Sequence, residues 1–318
     1  MIDIYIDRIS PITKLLDEVF YKSSIEDMKK FYFTYTKDEK EWLLFSDYYL
    51  DNEKPNNTIT FTAMPNIINI LDIKNIIKSI APKDVKHTRN VNQDFIKLIN
   101  SLPILNVVFI FEPRKYYLWD SKDELIFSLY EYINIIYAYI EYWLKNEPET
   151  KDKLDCLSKS IKCFEKLLFE EKKLKLLARM YLISLLGGYY SSFIHRETKL
   201  SSLVWFSDRD STNEICNNLI RHLFQINLID IIKKNIQFAF TRSNSESDEW
   251  YSELVRIPDY LTGTISSFDF YNKSGYDKET HHKMLKHHFS YNIVNTFLYR
   301  FKIDDEGLRI QRMLIIEN

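Results

Sequence analysis

Short apolar runs alternate with polar residues through the first third of the chain. Runs with this period of two, rich in β-branched and aromatic residues, predict strands at residues 2–6, 30–35, 42–46 and 58–62. The stretch 51–57 between the last two is turn-forming, because Pro55 restricts φ and asparagine tolerates left-handed conformations. The pattern therefore predicts a small meander of strands with a hairpin.

From residue 67 the apolar period becomes helical, and Ile70, Ile73 and Ile77 share one face. Pro82 ends this helix, since proline lacks the N–H that continues it. The next predicted elements are a second helix at 91–102, a buried strand at 106–111 and a mainly helical stretch at 121–192. Gly187 and Gly188 are expected to weaken the end of that stretch.

The strand pattern returns at residues 202–208 and leads at once into a helix. Ser211 and Glu214 have the spacing of a capping box, which marks a helix start. Four further elements are predicted: a strand at 235–240, a helix that starts near Ser252 or Pro258, a helix at 277–300 and an amphipathic tail at 307–316.

This order of elements favours an α/β fold with a mixed sheet, in which antiparallel strands come first and parallel crossovers follow. A ribonuclease-H-like core has the same order, with flanking helices and a long helical insertion. We therefore expect residues 1–120 to form the N-terminal part of the α/β core and 121–200 the helical insertion. Residues 201–318 would form the C-terminal part of the core with terminal helices.

Composition narrows the possible classes of protein. With 318 residues, 45% hydrophobic and 15% aromatic, the chain can bury a large core. The net charge of −2 provides no general attraction to polyanions, so a nucleic-acid surface would have to be a local basic patch. The three cysteines form no CxxC pair, which favours a reducing compartment, the cytoplasm. No apolar segment reaches membrane-spanning length, so we expect no membrane association.

Acidic residues stand at the ends of several predicted elements. Asp7 and Asp208 each end a predicted strand, Asp259 lies in a predicted first helical turn, and Glu112 follows the buried strand. Carboxylates that converge from strand ends and a neighbouring helix are the usual ligands of Mg²⁺ or Mn²⁺ in phosphoryl-transfer enzymes. Asp7, Asp208 and Asp259 are therefore the candidate catalytic and metal-binding residues, and Glu112 is a possible fourth ligand.

Each of these acids also has an ordinary structural interpretation. Asp7 could pair with Arg8 or accept a turn N–H group, and Asp208 could stabilise the N-terminus of the helix that follows it. Asp259 could be a plain acid of a first helical turn. Glu112 precedes Pro113 and could simply mark the end of a strand.

Several short motifs resemble the bacterial family called DUF 3800. They are residues 5–7 (Tyr-Ile-Asp), residues 84–86 (Asp-Val-Lys), the strand that ends at Asp208 and residues 257–263 (Ile-Pro-Asp-Tyr-Leu-Thr-Gly). The resemblance implies a ribonuclease-H-like fold and a metal-dependent nuclease that acts on nucleic-acid phosphodiesters, in defence against mobile elements. Arg8 stands where the family has an acidic residue and Pro258 where alanine is usual. The alternative is therefore a catalytically degenerate module that binds nucleic acid, or a partner protein through the helical insertion.

Local basic patches are the candidate contacts to nucleic acid. They comprise Lys86, His87, Arg89, Arg209, Lys283 and Lys286. The last two belong to a run that also contains His281, His282, His287 and His288, whose spacing does not suit a zinc pair. This run is interpreted as a solvated or phosphate-facing helix surface, and the patch at 86–89 could equally be an ordinary solvated connector.

Overall fold

The computed structural model describes residues 11–207, 210–234, 236–241, 251–272, 278–290 and 292–316. The chain divides into two compact units. We call the first the sheet unit (Leu15–Pro113, Phe193–Asp208 and Asn235–Asn318) and the second the helical unit (Met1–Lys14, Arg114–Ser192 and Arg209–Lys234). The insertion expected at 121–200 stays a prediction, and the helical unit shares residues 121–192 with it and also contains 209–234.

A seven-stranded mixed sheet lies within the described part of the sheet unit. Its strands are β1 (Glu41–Tyr49), β2 (Asn57–Pro65), β3 (Leu105–Phe111), β4 (Ser202–Ser207), β5 (Gln237–Phe240), β6 (Thr296–Asp304) and β7 (Gly307–Met313). Their order across the sheet is β5-β4-β1-β2-β3-β6-β7. With helices flanking it, this sheet confirms the predicted α/β class.

The direction of the strands changes across the sheet. β1, β2 and β3 form an antiparallel meander. β4 runs parallel to β1 and β5 parallel to β4, while on the other side β6 runs parallel to β3 and β7 returns antiparallel to it. Every residue of β2 and β3 is buried, as expected for central strands covered on both faces.

The helices are numbered in chain order. They are α1 (Pro11–Ser23), α2 (Ile25–Met28), α3 (Thr34–Thr36), α4 (Ile70–Ile80), α5 (Gln93–Ser101), α6 (Lys122–Asn146), α7 (Lys151–Leu167), α8 (Glu171–Thr198), α9 (Ser211–Ile232), α10 (Ser252–Ser267) and α11 (Glu279–Met284). A π-helical turn, Lys29–Phe33, joins α2 to α3, and another, Leu285–Phe289, follows α11. Asn69, Asn92, Ser121 and Asp210 cap α4, α5, α6 and α9 through their side chains.

Helices cover one face of the sheet and an aromatic cluster covers the other. The helix-covered face buries Phe45, Val108 and Leu298 with residues of α4, α5, α10 and α11. On the opposite face Phe20 of α1 stacks on Tyr299 at 4.2 Å and meets Phe193 edge-on. Alternate residues of each strand therefore supply the two faces.

Two of the elements predicted from the sequence are wrong. Residues 30–35 are helical rather than a strand. Ile25, Met28, Tyr32 and Thr36 are buried at a spacing of three to four residues, which is the period of a helix. The aromatic run at 30–35 suggested a strand and concealed this period. The predicted helix at 277–300 ends early. Residues 296–301 are instead fully buried in β6, between β3 and β7.

The helical unit is held together by close helix packing and buried polar contacts. α8 continues through both of its glycines. A Cβ on Gly188 would lie only 2.8 Å from Cβ of Asn227, so this glycine permits the close approach of α8 to α9. The Tyr132 hydroxyl donates to Oδ1 of Asn227 at 3.1 Å. α9 is interrupted at residues 215–218, where Cys216, Asn217 and Asn218 have positive φ. None of the described helices combines the length and the apolar character that crossing a bilayer would need.

Candidate functional site

Asp259 lies on α10, the helix that packs across β1 and β2. This helix begins at Ser252 and contains Pro258 in its interior, so Asp259 lies two turns after its start rather than in the first turn that the sequence predicted. The Thr262 hydroxyl lies 2.8 Å from the Thr60 hydroxyl and 3.3 Å from the carbonyl oxygen of Asp47. These two contacts of Thr262 hold the middle of α10 against β1 and β2.

The Asp259 carboxylate holds a short turn of the chain. Its Oδ2 accepts the backbone N–H of Val85 at 2.8 Å, at the first residue of the 3₁₀ turn Val85–His87. A Cβ on Gly263, one turn later, would lie 2.5 Å from Cγ1 of Val85. The absent side chain of Gly263 therefore leaves room for this turn.

Asp259 and Asp47 line one cavity of about 400 Å³, which we call the carboxylate cavity. Asp47 lies near the carboxyl end of β1, two residues after Phe45. Residues two apart on a strand share a face, so Asp47 lies on the same face as Phe45, which α10 covers. Asp84 and Lys86 line the same cavity from the 3₁₀ turn. A strand end, a helix and a turn thus bring acids from three parts of the chain to one place.

Lys54 contributes a cation to the carboxylate cavity. It comes from the connection between β1 and β2, and its Nζ donates to Oγ of Ser266 at 3.1 Å and lies 4.2 Å from the centre of the Tyr49 ring. Burial lowers the pKa of Lys54, whereas the Asp47 and Asp259 carboxylates act in the opposite direction. The ammonium is therefore close enough to both acids to offset part of their charge.

A second cavity, of about 600 Å³, lies on the other side of the same turn. We call it the basic cavity, because Lys83, His87, Arg89 and Lys283 line it and, among the described residues, no acid does. Residues that are adjacent in the sequence line different cavities. Asp84 and Asp259 line the carboxylate cavity, whereas Lys83 and Tyr260 line the basic one.

The structure treats the predicted site residues in different ways. Asp7, Asp208 and Arg209 lie outside the described residues. Glu112, the possible fourth ligand, does not line the carboxylate cavity. Its Oε1 accepts hydrogen bonds from Arg300 at 3.2 Å and from the Tyr271 hydroxyl at 3.0 Å. Its position is thus explained by a salt bridge to a buried arginine.

The predicted basic contacts are also divided. His87, Arg89 and Lys283 line the basic cavity, Lys86 lines the carboxylate cavity, and Lys286 is exposed outside both. The interpretation of the histidine run as a solvated surface is wrong for His281 and His288, which are buried. Burial lowers the pKa of His288 from 6.5 to about 3.

Sequence reasoning missed Asp47 as a candidate. The signal was present, because Asp47 directly follows the predicted strand 42–46. Asp7 was named because it ends the predicted strand 2–6, which lies outside the described residues, whereas the described sheet places β1 next to β4. Ser46 of β1 and Ser207 of β4 are paired in the parallel register. In the sequence, Asp47 directly follows Ser46, and Asp208 directly follows Ser207.

The donor chemistry of the cavity suits a hard divalent cation, but only in part. Carboxylate oxygens on a strand and a helix are the ligands that Mg²⁺ and Mn²⁺ prefer. Among the described residues, however, no group of three or more acidic, histidine or cysteine side chains is arranged to hold a metal ion. A complete site would therefore need a further ligand.

Comparison of the chain with models of known protein families, with curated proteins and with solved structures found no match. The geometry of the two cavities is therefore the basis of the function proposed below.

Proposed function

We propose that the protein is a Mg²⁺- or Mn²⁺-dependent nuclease with a ribonuclease-H-like core. The observation that carries the proposal is the shared cavity of Asp47 and Asp259, beside a cavity whose charged residues are all basic. Two carboxylates suit a metal ion, although Lys54, Lys86 and Arg256 line the same cavity, and a neighbouring basic surface suits a phosphate backbone. DNA and RNA both present this chemistry.

The arrangement of the sheet supports the fold part of the proposal. Strands β3-β2-β1-β4-β5 are adjacent in this order, with an antiparallel meander from β1 to β3 and with β4 and β5 parallel to β1. A ribonuclease-H-like core has this order and these directions. β6 and β7 would then be an extension of the sheet beyond β3.

The proposed metal ligands are Asp47, Asp259 and Asp208. In this proposal Asp47, near the carboxyl end of β1, has the role that the sequence suggested for Asp7. Asp208 is proposed because it follows Ser207, the register partner of Ser46, at the end of β4. A bound metal would lower the pKa of an attacking water and stabilise the leaving oxygen.

The protein's own residues have simpler tasks in this proposal. Asp47 and Asp259 would be held in place by the strand and by α10, whose position is secured by the Thr262 contacts.

The cytoplasm is the proposed location, and the support for it is that Cys156, Cys163 and Cys216 are free thiols. Binding of a partner protein through residues 121–200 stays a prediction.

The test is metal-dependent cleavage of single- and double-stranded DNA and RNA oligonucleotides. We expect cleavage with Mn²⁺ and none in EDTA. Asp47→Asn and Asp259→Asn should each lower the rate by at least about a hundredfold, because even the partners of metal ligands are worth tenfold to a hundredfold. Asp72→Asn, an exposed acid on α4, is the matched control. Unchanged cleavage by both cavity variants would contradict the proposal.

A second candidate function follows from Lys54. Its ammonium lies in the carboxylate cavity, where it offsets acidic charge without a metal. This observation favours a metal-independent module that binds nucleic acid and does not cleave it. Wild-type protein that binds oligonucleotides equally well in EDTA and in Mn²⁺, with no cleavage of any of the four substrates, would favour this second function.

A further inference from the structure

In the part of the chain that the structure describes, the basic cavity is lined by cationic side chains and by no acid. Among the described residues, neither the Lys83 ammonium nor the Arg89 guanidinium makes a hydrogen bond or an ion pair. The Lys283 ammonium donates to Oδ1 of Asn90 at 2.7 Å, which leaves two of its three donors for another group. Cations without acidic partners in a concave site favour an anionic ligand.

The wall of the basic cavity is held in place by hydrogen bonds. The Tyr260 hydroxyl donates to the carbonyl oxygen of Lys83 at 2.9 Å and lies 2.8 Å from the Thr88 hydroxyl. On the other side of the segment, the backbone N–H of Thr280 donates to the carbonyl oxygen of Arg89 at 3.1 Å. The segment that carries Lys83 and Arg89 is thus fixed by α10 and α11 before any ligand binds.

The two cavities share the turn 84–87 as a common wall. Lys86 lines the carboxylate cavity and the next residue, His87, lines the basic cavity. On α10, Asp259 lines the carboxylate cavity and Tyr260 lines the basic cavity. A strand of nucleic acid that extends from the carboxylate cavity across this turn would bring another of its phosphates to the basic cavity. Arginine and lysine are the side chains that hold such groups.

From these observations we infer that the basic cavity is a phosphate-binding subsite, in which Lys83, Arg89 and Lys283 hold one phosphate group of a nucleic-acid strand. The inference rests on the proposed action on nucleic acid and deepens it, because it assigns the contact that positions the strand. The phosphate could be a backbone diester or a terminal monoester, and both have the same recognition chemistry.

The experiment measures binding in EDTA, where no cleavage occurs. Fluorescence anisotropy would follow 3′-labelled single-stranded DNA and RNA oligonucleotides, each with a 5′-phosphate or a 5′-hydroxyl group. The test variant is Lys83→Ala/Arg89→Ala. Both residues are exposed, so circular dichroism and thermal unfolding should match those of the wild type. The control is Lys22→Ala/Lys97→Ala, which removes the same charge from two exposed lysines of the sheet unit that line neither cavity.

We expect the test variant to bind about tenfold more weakly than the control variant, and the salt slope of log K to fall by about 0.7 for the lost phosphate contact. A loss with both kinds of 5′ end identifies a backbone phosphate, and a loss with the 5′-phosphate alone identifies a terminal one. Equal binding by the test and control variants would overturn the inference. Binding that depends on Lys83 and Arg89 without any cleavage in Mn²⁺ would contradict the nuclease proposal alone.

Discussion

The Asp259 carboxylate accepts the backbone N–H of Val85 at 2.8 Å, and this hydrogen bond joins α10 to the turn between the two cavities. Asp259 therefore has a structural task besides the proposed metal ligation. Asp84, Lys86 and His87 lie on this turn or directly before it. The Asp259 carboxylate thus contributes to the geometry of both cavities.

Replacement of Asp259 should separate its two roles. We expect Asp259→Ala to lower the free energy of unfolding by about 1 kcal/mol, because the N–H of Val85 loses its acceptor. Asp259→Asn keeps an amide oxygen that can accept the same hydrogen bond, so its loss should be smaller. Urea unfolding of the two variants measures the difference. Equal losses would show that the Val85 contact does not depend on an oxygen at this position.

Gly263→Ala should be destabilising through a steric conflict with Val85. The added Cβ would lie 2.5 Å from Cγ1 of Val85, which is too close for any real contact. We expect a loss of about 1–3 kcal/mol, typical of overpacking. In the double variant Gly263→Ala/Val85→Ala the conflict is relieved, so the combined loss should be smaller than the sum by about 1 kcal/mol. Strict additivity would show that the two positions do not conflict.

Lys54→Met should raise the affinity of the carboxylate cavity for Mn²⁺. The substitution removes a positive charge that the structure places beside Asp47 and Asp259, and like charges repel. Isothermal titration with Mn²⁺ should show affinity that is several-fold higher than that of the wild type. Lys97→Met, at an exposed position paired with Asp94, should leave the affinity unchanged. Weaker Mn²⁺ binding by Lys54→Met would indicate that Lys54 supports the site.

His288 should make the stability of the protein depend on pH. Its Nδ1 contacts Oδ1 of Asn100 and its Nε2 lies 3.0 Å from the Thr296 hydroxyl, while burial lowers its pKa from 6.5 to about 3. The unfolded chain therefore binds a proton that the folded chain excludes. The contribution of neutral His288 is complete above pH 6.5 and is lost progressively as the pH falls toward about 3.

The slope of this loss is at most about 1.4 kcal/mol per pH unit for one group. Urea unfolding between pH 7 and 4 should show a shallower pH dependence in His288→Gln than in the wild type. His282→Gln, at an exposed position, is the control and should keep the slope of the wild type. Parallel curves for all three proteins would mean that His288 is already accessible to protons in the folded state.

The three thiols should differ in reactivity. Cys156 is exposed, whereas Cys216 is buried, and burial together with the neighbouring Cys163 thiol raises the pKa of Cys216. The thiolate is the nucleophile, so a raised pKa slows alkylation. With iodoacetamide at pH 8 we expect Cys156 to react first and Cys216 to react only after unfolding, as measured by peptide mass spectrometry. Equal rates for the two residues would contradict this order.

The sequence by itself determined those elements whose pattern is local. The strands around residues 42–46, 58–62 and 106–111 followed from alternation and from an apolar run of strand length, and all three belong to the sheet. The helix expected to start near Ser252 or Pro258 also followed from local signals, and it begins at Ser252. These elements were predictable because a residue's preference for a strand or a helix depends mainly on its near neighbours.

Only the tertiary structure decided which residues meet. The aromatic run at 30–35 suits a strand as well as a helix, and only the burial of one helical face resolves it. Asp47 became a candidate because β1 lies under α10, a contact between positions more than 200 residues apart. His288 looked like a solvated base, yet it is enclosed by residues of other elements. Such long-range contacts depend on how the whole chain packs, and local periodicity does not encode them.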